Sequence, residues 1–161
     1  MSKYNQPVGA IRFARMTTEP PPFIEDNPVR RGRRALGVRY ENKLHNEFIR
    51  RYPGYLPSMW FNFADHESDS KWCQTDGLLV DPWRGRITII EAKWQHTATA
   101  YYQLFKLYYP VVAFLFAAKY DITCCEVVKW FDPAILTPVR PIMCKEPADA
   151  KPGKFNVHIW K

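Results

Sequence analysis

The chain has 161 residues, 47% of them hydrophobic and 16% aromatic, enough to pack one domain and too few for two ordinary ones. That composition excludes disorder of the whole chain, and no run of about 18 apolar residues is present to form a membrane span. The formal charge is +7, and residues 30–51 alone net +6, with Arg30, Arg31, Arg33, Arg34, Arg39, Lys43, Arg50 and Arg51 set against Glu41 and Glu47. Positive charge so concentrated points to a polyanionic partner; a solvated basic helix is the other reading.

Residues 1–32 are rich in proline and polar groups, with Pro20-Pro21-Pro22 and Asn27-Pro28 as breakers. They read as an extended N-terminal arm with a short strand at Val8–Ala14. Such an arm can also wrap a second copy or a larger assembly. The opening Met1-Ser-Lys-Tyr-Asn-Gln-Pro lacks the apolar core of a secretory signal, so a cytoplasmic protein is expected, in the host cytoplasm if the source is viral. Arg30, Arg31, Arg33 and Arg34 end the arm and are the candidates for phosphate contacts.

Residues 33–161 read as a single domain. Leu36, Tyr40, Leu44 and Phe48 recur every four residues and predict a helix over 33–52, stopped by Pro53-Gly54. Glu41 lies at the edge of that apolar stripe. A strand is expected at Met59–Phe63, then a polar loop over residues 65–70. Trp72–Asp81 and Ile87–Lys93 read as a hairpin closed by Pro82-Trp-Arg-Gly-Arg86. Thr97–Tyr109 predicts an aromatic helix that Pro110 ends or kinks, with a second apolar segment running to Lys119. Ile122–Trp130 and Phe155–Trp160 are further strands. The order helix, β-meander, helix, strand implies an α/β fold, a central mixed sheet flanked by helices.

Side chains alternate along a strand, so Ile87, Ile89, Glu91 and Lys93 share one face. A carboxylate and an ammonium directly after an apolar run are costly there unless they bind something. Closing the hairpin at residues 81–86 sets Asp76 opposite residue 91 or 92. Two carboxylates that close repel, and a divalent cation with hard oxygen ligands relieves the repulsion, which suits Mg²⁺. The alternative is a surface salt bridge between Glu91 and Lys93, with Asp76 a turn residue. Cys73, Cys124, Cys125 and Cys144 show no metal-like spacing and read as core residues. His45 reads as a satisfied half-buried histidine and His66 as part of a solvated loop. His96 stands three residues past Lys93; a phosphate contact is one reading of it and not the favoured one. Trp83, Trp94, Tyr101 and Tyr102 are of the type that stacks on bases, although core packing accounts for most aromatics at this density.

Asp76, fourteen intervening residues and Glu91-Ala92-Lys93 resemble the PD-(D/E)XK motif of the restriction-endonuclease-like nuclease superfamily. The helix bearing Gly37-Val-Arg-Tyr-Glu41 is similar to that superfamily's first helix. The resemblance spans residues 34 to about 130, with Thr75 where the motif has proline. It implies a restriction-endonuclease-like core and Mg²⁺-dependent cleavage of DNA, with Mn²⁺ able to substitute. It also implies Asp76 and Glu91 as metal ligands, Lys93 as the catalytic lysine and Glu41 as an auxiliary ligand. Gln103 resembles the glutamine of the RecB-like exonuclease branch, an ordinary helix-surface glutamine being the other reading; that branch's tyrosine would fall at Leu107, and Tyr108 is one place late.

The expected function is therefore a small metal-dependent deoxyribonuclease, exo or endo, of the kind that processes, recombines or repairs phage or mobile-element DNA. The alternative is a catalytically inactive nuclease-fold module that binds nucleic acid or a protein assembly.

Overall fold

A computed structural model of the chain describes residues 6–23 and 33–161. Its first element is a strand, β1 (Phe13–Thr17), and the long helix α1 (Arg33–Arg51) follows. The expected stripe drives the helix into the molecule: Tyr40, Leu44 and Phe48 are buried, while Leu36, a turn earlier, is exposed. Then come β2 (Tyr55–Pro57), β3 (Trp60–Ala64), β4 (Lys71–Gln74), β5 (Gly77–Asp81) and β6 (Arg86–Gln95). Helix α2 (Ala98–Tyr102), a π-helical stretch (Gln103–Tyr108) and α3 (Tyr109–Phe116) run on consecutively into β7 (Asp121–Trp130). The short strand β8 (Ile142–Met143), a 3₁₀ turn (Pro147–Asp149) and β9 (Phe155–Ile159) complete the chain.

The nine strands among the described residues form two sheets. Six make a mixed sheet in the order β2-β5-β6-β7-β9-β8, antiparallel through β2, β5 and β6 and parallel from β6 onward; three make an antiparallel sheet, β1-β3-β4. The parallel step from β6 to β7 needs a crossover, and the helical run 98–116 supplies it. The two faces of the large sheet are both covered. Ile87 and Ile89 pack with Leu104, Leu107, Tyr108 and Val111 of that helical run and with Phe61 and Phe63 of the small sheet. Ile90 packs on the other side with Tyr40, Leu44 and Phe48 of α1. The molecule is thus an α/β fold, a mixed multistranded sheet flanked by helices.

Several local expectations are corrected. The strand expected at Val8–Ala14 lies at Phe13–Thr17, where antiparallel pairing with β3 turns Ala14 inward and ties this part of the arm into the fold. The single strand expected over Trp72–Asp81 is two strands in two different sheets, because the chain crosses between sheets at Thr75-Asp76. The hairpin β5–β6 closes over Pro82–Gly85, with Gly85 at φ 63°, the left-handed conformation a tight turn asks of glycine. Pro110 neither ends nor breaks its helix. It has no N–H, and its ring would meet the Lys106 carbonyl in a regular α-helix; the chain widens into a π turn just before it instead. No helix among the described residues is long and apolar enough to cross a membrane.

Candidate active site

Asp76 occupies the crossover between the sheets, one residue before β5. The ladder pairs Gly77 with Ile90, so one step further Asp76 stands opposite Glu91, as the hairpin geometry anticipates. On the other side, the parallel register pairs Glu91 with Glu126 of β7. Alternation from Leu78, Ile89 and Cys124, all in the same core cluster, carries these three carboxylates onto one face of the sheet. They form a row across three adjacent strands.

Asp76 Oδ2 accepts a hydrogen bond from the Ala92 N–H at 2.8 Å. Burial pushes the Asp76 carboxyl well above its ordinary pKa, and the charges of Glu91 and then Glu41 push the same way, against the Ala92 N–H and Lys93. Glu91 is only 2% exposed. Its Oε1 accepts from Lys93 Nζ at 2.8 Å, while its Oε2 is buried without a hydrogen-bond partner. The Glu91–Lys93 ion pair therefore exists, but it is sunk in the sheet rather than on the surface. Burial alone would depress the Lys93 pKa; Glu91, Asp76 and Glu126 outweigh that and raise it, so the side chain stays cationic.

Glu41 approaches from α1, in the layer on the other side of the sheet. His45 links it to Tyr55: the Tyr55 hydroxyl lies 2.7 Å from His45 Nδ1, and His45 Nε2 lies 3.3 Å from Glu41 Oε1. One tautomer serves both bonds, with Tyr55 donating to Nδ1 and Nε2–H donating to the carboxylate. Tyr55 in turn feels the charges of Asp76 and Glu41. A Cβ on Gly77 would come within 2.4 Å of the Tyr55 hydroxyl, so only glycine fits after Asp76. Glu41 is thus near Asp76 electrostatically and held by the hydrogen bond from His45.

Gln103 opens the π-helical stretch, with its Oε1 buried and unpartnered. At the other end of that stretch Tyr108 is buried; burial raises its pKa, and the carboxylates of Glu91 and Asp76 raise it further. Arg30 and Arg31 lie outside the described residues, Arg33 begins α1, and Arg34 is exposed on its first turn. Trp83 is 99% exposed at the hairpin tip and lines a cleft of about 440 Å³ with Tyr52 and Leu79. Trp94 packs edge-on against Tyr40, and Tyr101 stacks on Phe105 at 4.8 Å.

Sequence reasoning missed Glu126. It is fully buried, with Oε2 at 2.7 Å from His96 Nδ1 and Oε1 accepting the Thr97 N–H at 3.3 Å. Burial pushes its pKa up to about 8, Glu91 adds to that, and the Thr97 N–H and Lys93 work against it. The same burial lowers the His96 pKa, with Asp132 opposing. His96 is therefore a buried partner of Glu126 and not a solvent-side phosphate contact. The available signal was a lone Glu in the apolar run Ile122-Thr-Cys-Cys-Glu-Val-Val128.

Among the described residues, no three His, Cys, Asp or Glu side chains converge as a ready-made metal cage. Two features nevertheless fit a hard cation beside Asp76 and Glu91: an orphaned buried carboxylate oxygen, and a second carboxyl whose ionisation the first opposes. Mg²⁺ commonly needs only one or two protein carboxylates, taking its remaining ligands from water and phosphate. Comparisons with family models, with curated proteins and with solved structures return no match.

Proposed function

We propose that the protein is a metal-dependent nuclease with a restriction-endonuclease-like core, hydrolysing DNA phosphodiester bonds. The observation that carries this reading is the Asp76–Glu91 pair across the β5–β6 ladder with the Lys93 ammonium on Glu91. Carboxylates in such a pair oppose one another's ionisation, and a buried oxygen without a partner is costly. Both penalties fall if a divalent cation, Mg²⁺ or Mn²⁺, is the third party. Asp76 and Glu91 would hold it, with Glu41 as an auxiliary ligand. When bound, such an ion polarises a phosphoryl oxygen and lowers the pKa of a bound water.

The chain's own groups supply the rest. Lys93, kept cationic by the surrounding carboxylates, places positive charge where an attacked phosphate gains negative charge. Glu91 fixes that ammonium. The basic outer surface of α1, with Arg34, Arg39 and Lys43 exposed, suits the DNA backbone. The π-helical stretch also supports kinship with the RecB-like branch. A π turn accommodates one extra residue, which is the offset that leaves the tyrosine at 108 rather than 107. By analogy alone, the role we assign is processing, recombination or repair of phage or mobile-element DNA.

The second reading is a module of this fold that binds DNA without cutting it. Linear, circular and branched DNA incubated with the protein in Mg²⁺ or in EDTA distinguishes the two. Metal-dependent cutting, lost in Asp76→Asn and in Lys93→Ala, is expected. Substrates that are bound yet left intact in both Mg²⁺ and Mn²⁺ would hand the case to the binding module.

A further inference from the structure

The small sheet has one face in the core and one outside. Ala14, Phe61, Phe63 and Cys73 turn inward, so alternation sends Phe13, Arg15, Trp60, Asn62, Trp72 and Gln74 outward. Neither tryptophan is among the residues packed against either core cluster. Their rings meet at 6.4 Å between centroids, nearly perpendicular, and the Arg15 guanidinium lies 5.3 Å from the Trp72 ring centre. Phe13 is 52% exposed at the next row. Two half-buried indoles, an exposed phenyl ring and a guanidinium on an exterior strand face need another explanation than core packing.

Resting on the nucleic-acid reading above, we propose that this outer face binds single-stranded nucleic acid. Bases would stack on Trp60 and Trp72, and Arg15 would take a phosphate. Stacking on aromatic rings beside a positive charge is how single strands are held without regard to sequence. Duplex bases offer no free ring face to such a surface. The charge is complementary: the strands present no carboxylate here, and no carboxylate pairs with Arg15 among the described residues, only Asn62 Oδ1 at 3.4 Å. The outer face and Asp76 are also joined along the chain, since β4 leads from Trp72 through Thr75 into Asp76.

Fluorescence anisotropy of labelled oligo(dT), about twelve nucleotides long and within usual site sizes, tests this in EDTA, where no cutting can occur. Trp72→Leu and Trp60→Leu are each expected to weaken binding by about tenfold, a typical loss for one stacked base. Trp72→Tyr, which keeps a ring, is expected to bind nearly as wild type does; a merely space-filling role would rank Leu with Tyr. Arg15→Gln is expected to lower the slope of log affinity against log salt by about 0.7, one phosphate contact. Circular dichroism reports whether each variant is folded. Duplex binding and Mg²⁺-dependent cutting of duplex DNA should persist in the tryptophan variants. If duplex is cut but oligo(dT) affinity is the same in wild type and Trp72→Leu, this inference falls and the nuclease reading stands. If wild type binds neither form, both fall. A change of oligomeric state in the variants, with oligo(dT) binding unaltered, would reassign the face to a second copy.

Discussion

The Asp76 carboxylate takes the Ala92 N–H at 2.8 Å, so a side chain does the work of a backbone carbonyl where the β5–β6 ladder runs out. The same group is thus a structural acceptor and, in the proposed chemistry, a metal ligand. The two roles separate by substitution. Asp76→Ala leaves the Ala92 N–H without its acceptor and should destabilise the fold by about 1–3 kcal/mol. Asp76→Asn keeps an acceptor oxygen and removes the charge that Glu91 and Glu41 oppose. In EDTA its urea midpoint should equal or exceed that of wild type, while metal-dependent cleavage disappears. An Asn variant as unstable as the Ala variant would show that the charge, not the hydrogen bond, matters at this position.

Lys93 is the cation already seated on Glu91, so in the proposed chemistry it would compete with a metal for the same carboxylate while assisting the reaction. Lys93→Ala should therefore lower cleavage by about a hundredfold or more yet leave Mg²⁺ binding intact or tighter. Thermal denaturation checks the second half. Wild type and Lys93→Ala should both be stabilised by Mg²⁺, approaching about 2.7 kcal/mol at a hundred times Kd, whereas Asp76→Asn should not respond.

The buried Glu126–His96 pair favours a single proton near neutrality, because burial raises one pKa to about 8 and lowers the other. Unfolded, the two groups together hold one proton midway between their ordinary values of 4.5 and 6.5. Stability from the pair is therefore greatest in that interval. Above it the unfolded chain binds fewer protons than the native one, so stability falls as pH rises toward about 8, by at most about 1.4 kcal/mol per pH unit. Below it the unfolded glutamate is protonated too while the native histidine still resists its proton, so the unfolded chain binds more protons and stability falls again. Glu126→Gln should abolish the alkaline limb and let the acid limb begin at the ordinary histidine value of 6.5, measured by urea unfolding in EDTA across both limbs.

Asp65 anchors the N-terminal segment. It is fully buried and accepts from Lys71 Nζ at 2.7 Å, from the Val8 N–H at 2.7 Å, and from the Glu67 and Ser68 N–H groups, each at 2.9 Å. Burial alone would raise its pKa; Lys71 and the three backbone donors together drive it well below the usual carboxylate range. A depressed native pKa contributes stability that is present above the ordinary value of 3.8 and lost as pH falls below it. Asp65→Ala takes the shortest partner from the Lys71 ammonium, which keeps the Glu67 carboxylate at 3.2 Å and the Gln6 carbonyl at 3.0 Å, and leaves backbone donors unpaired; it should cost about 1–3 kcal/mol. Hydrogen exchange should show the Val8 amide losing protection in that variant first.

Periodic patterns made much of this protein legible. The four-residue stripe of α1, the alternation of β6 and the Pro-Gly hairpin located Asp76 beside Glu91, since strand pairing on a short loop leaves little freedom of register. Glu126 stayed hidden because a parallel neighbour is set by a crossover of some twenty-five residues, for which no local rule predicts the partner strand. The split of Trp72–Asp81 between two sheets was hidden for a related reason: an apolar–polar alternation says which face is buried, not against which sheet.

Local chemistry in the sequence, then, determined which residue types could meet in a hairpin and that one face there carries charge. Tertiary structure decided the depth at which that charge lies. Alternation puts Glu91 on a face with Ile87 and Ile89, yet only the packing of that face, with Tyr108 of the helical run 98–116 close by, leaves it 2% exposed with an oxygen that has no partner. Burial is a property of what packs on top, and what packs there follows the hairpin in the chain and is not written in the hairpin's own residues.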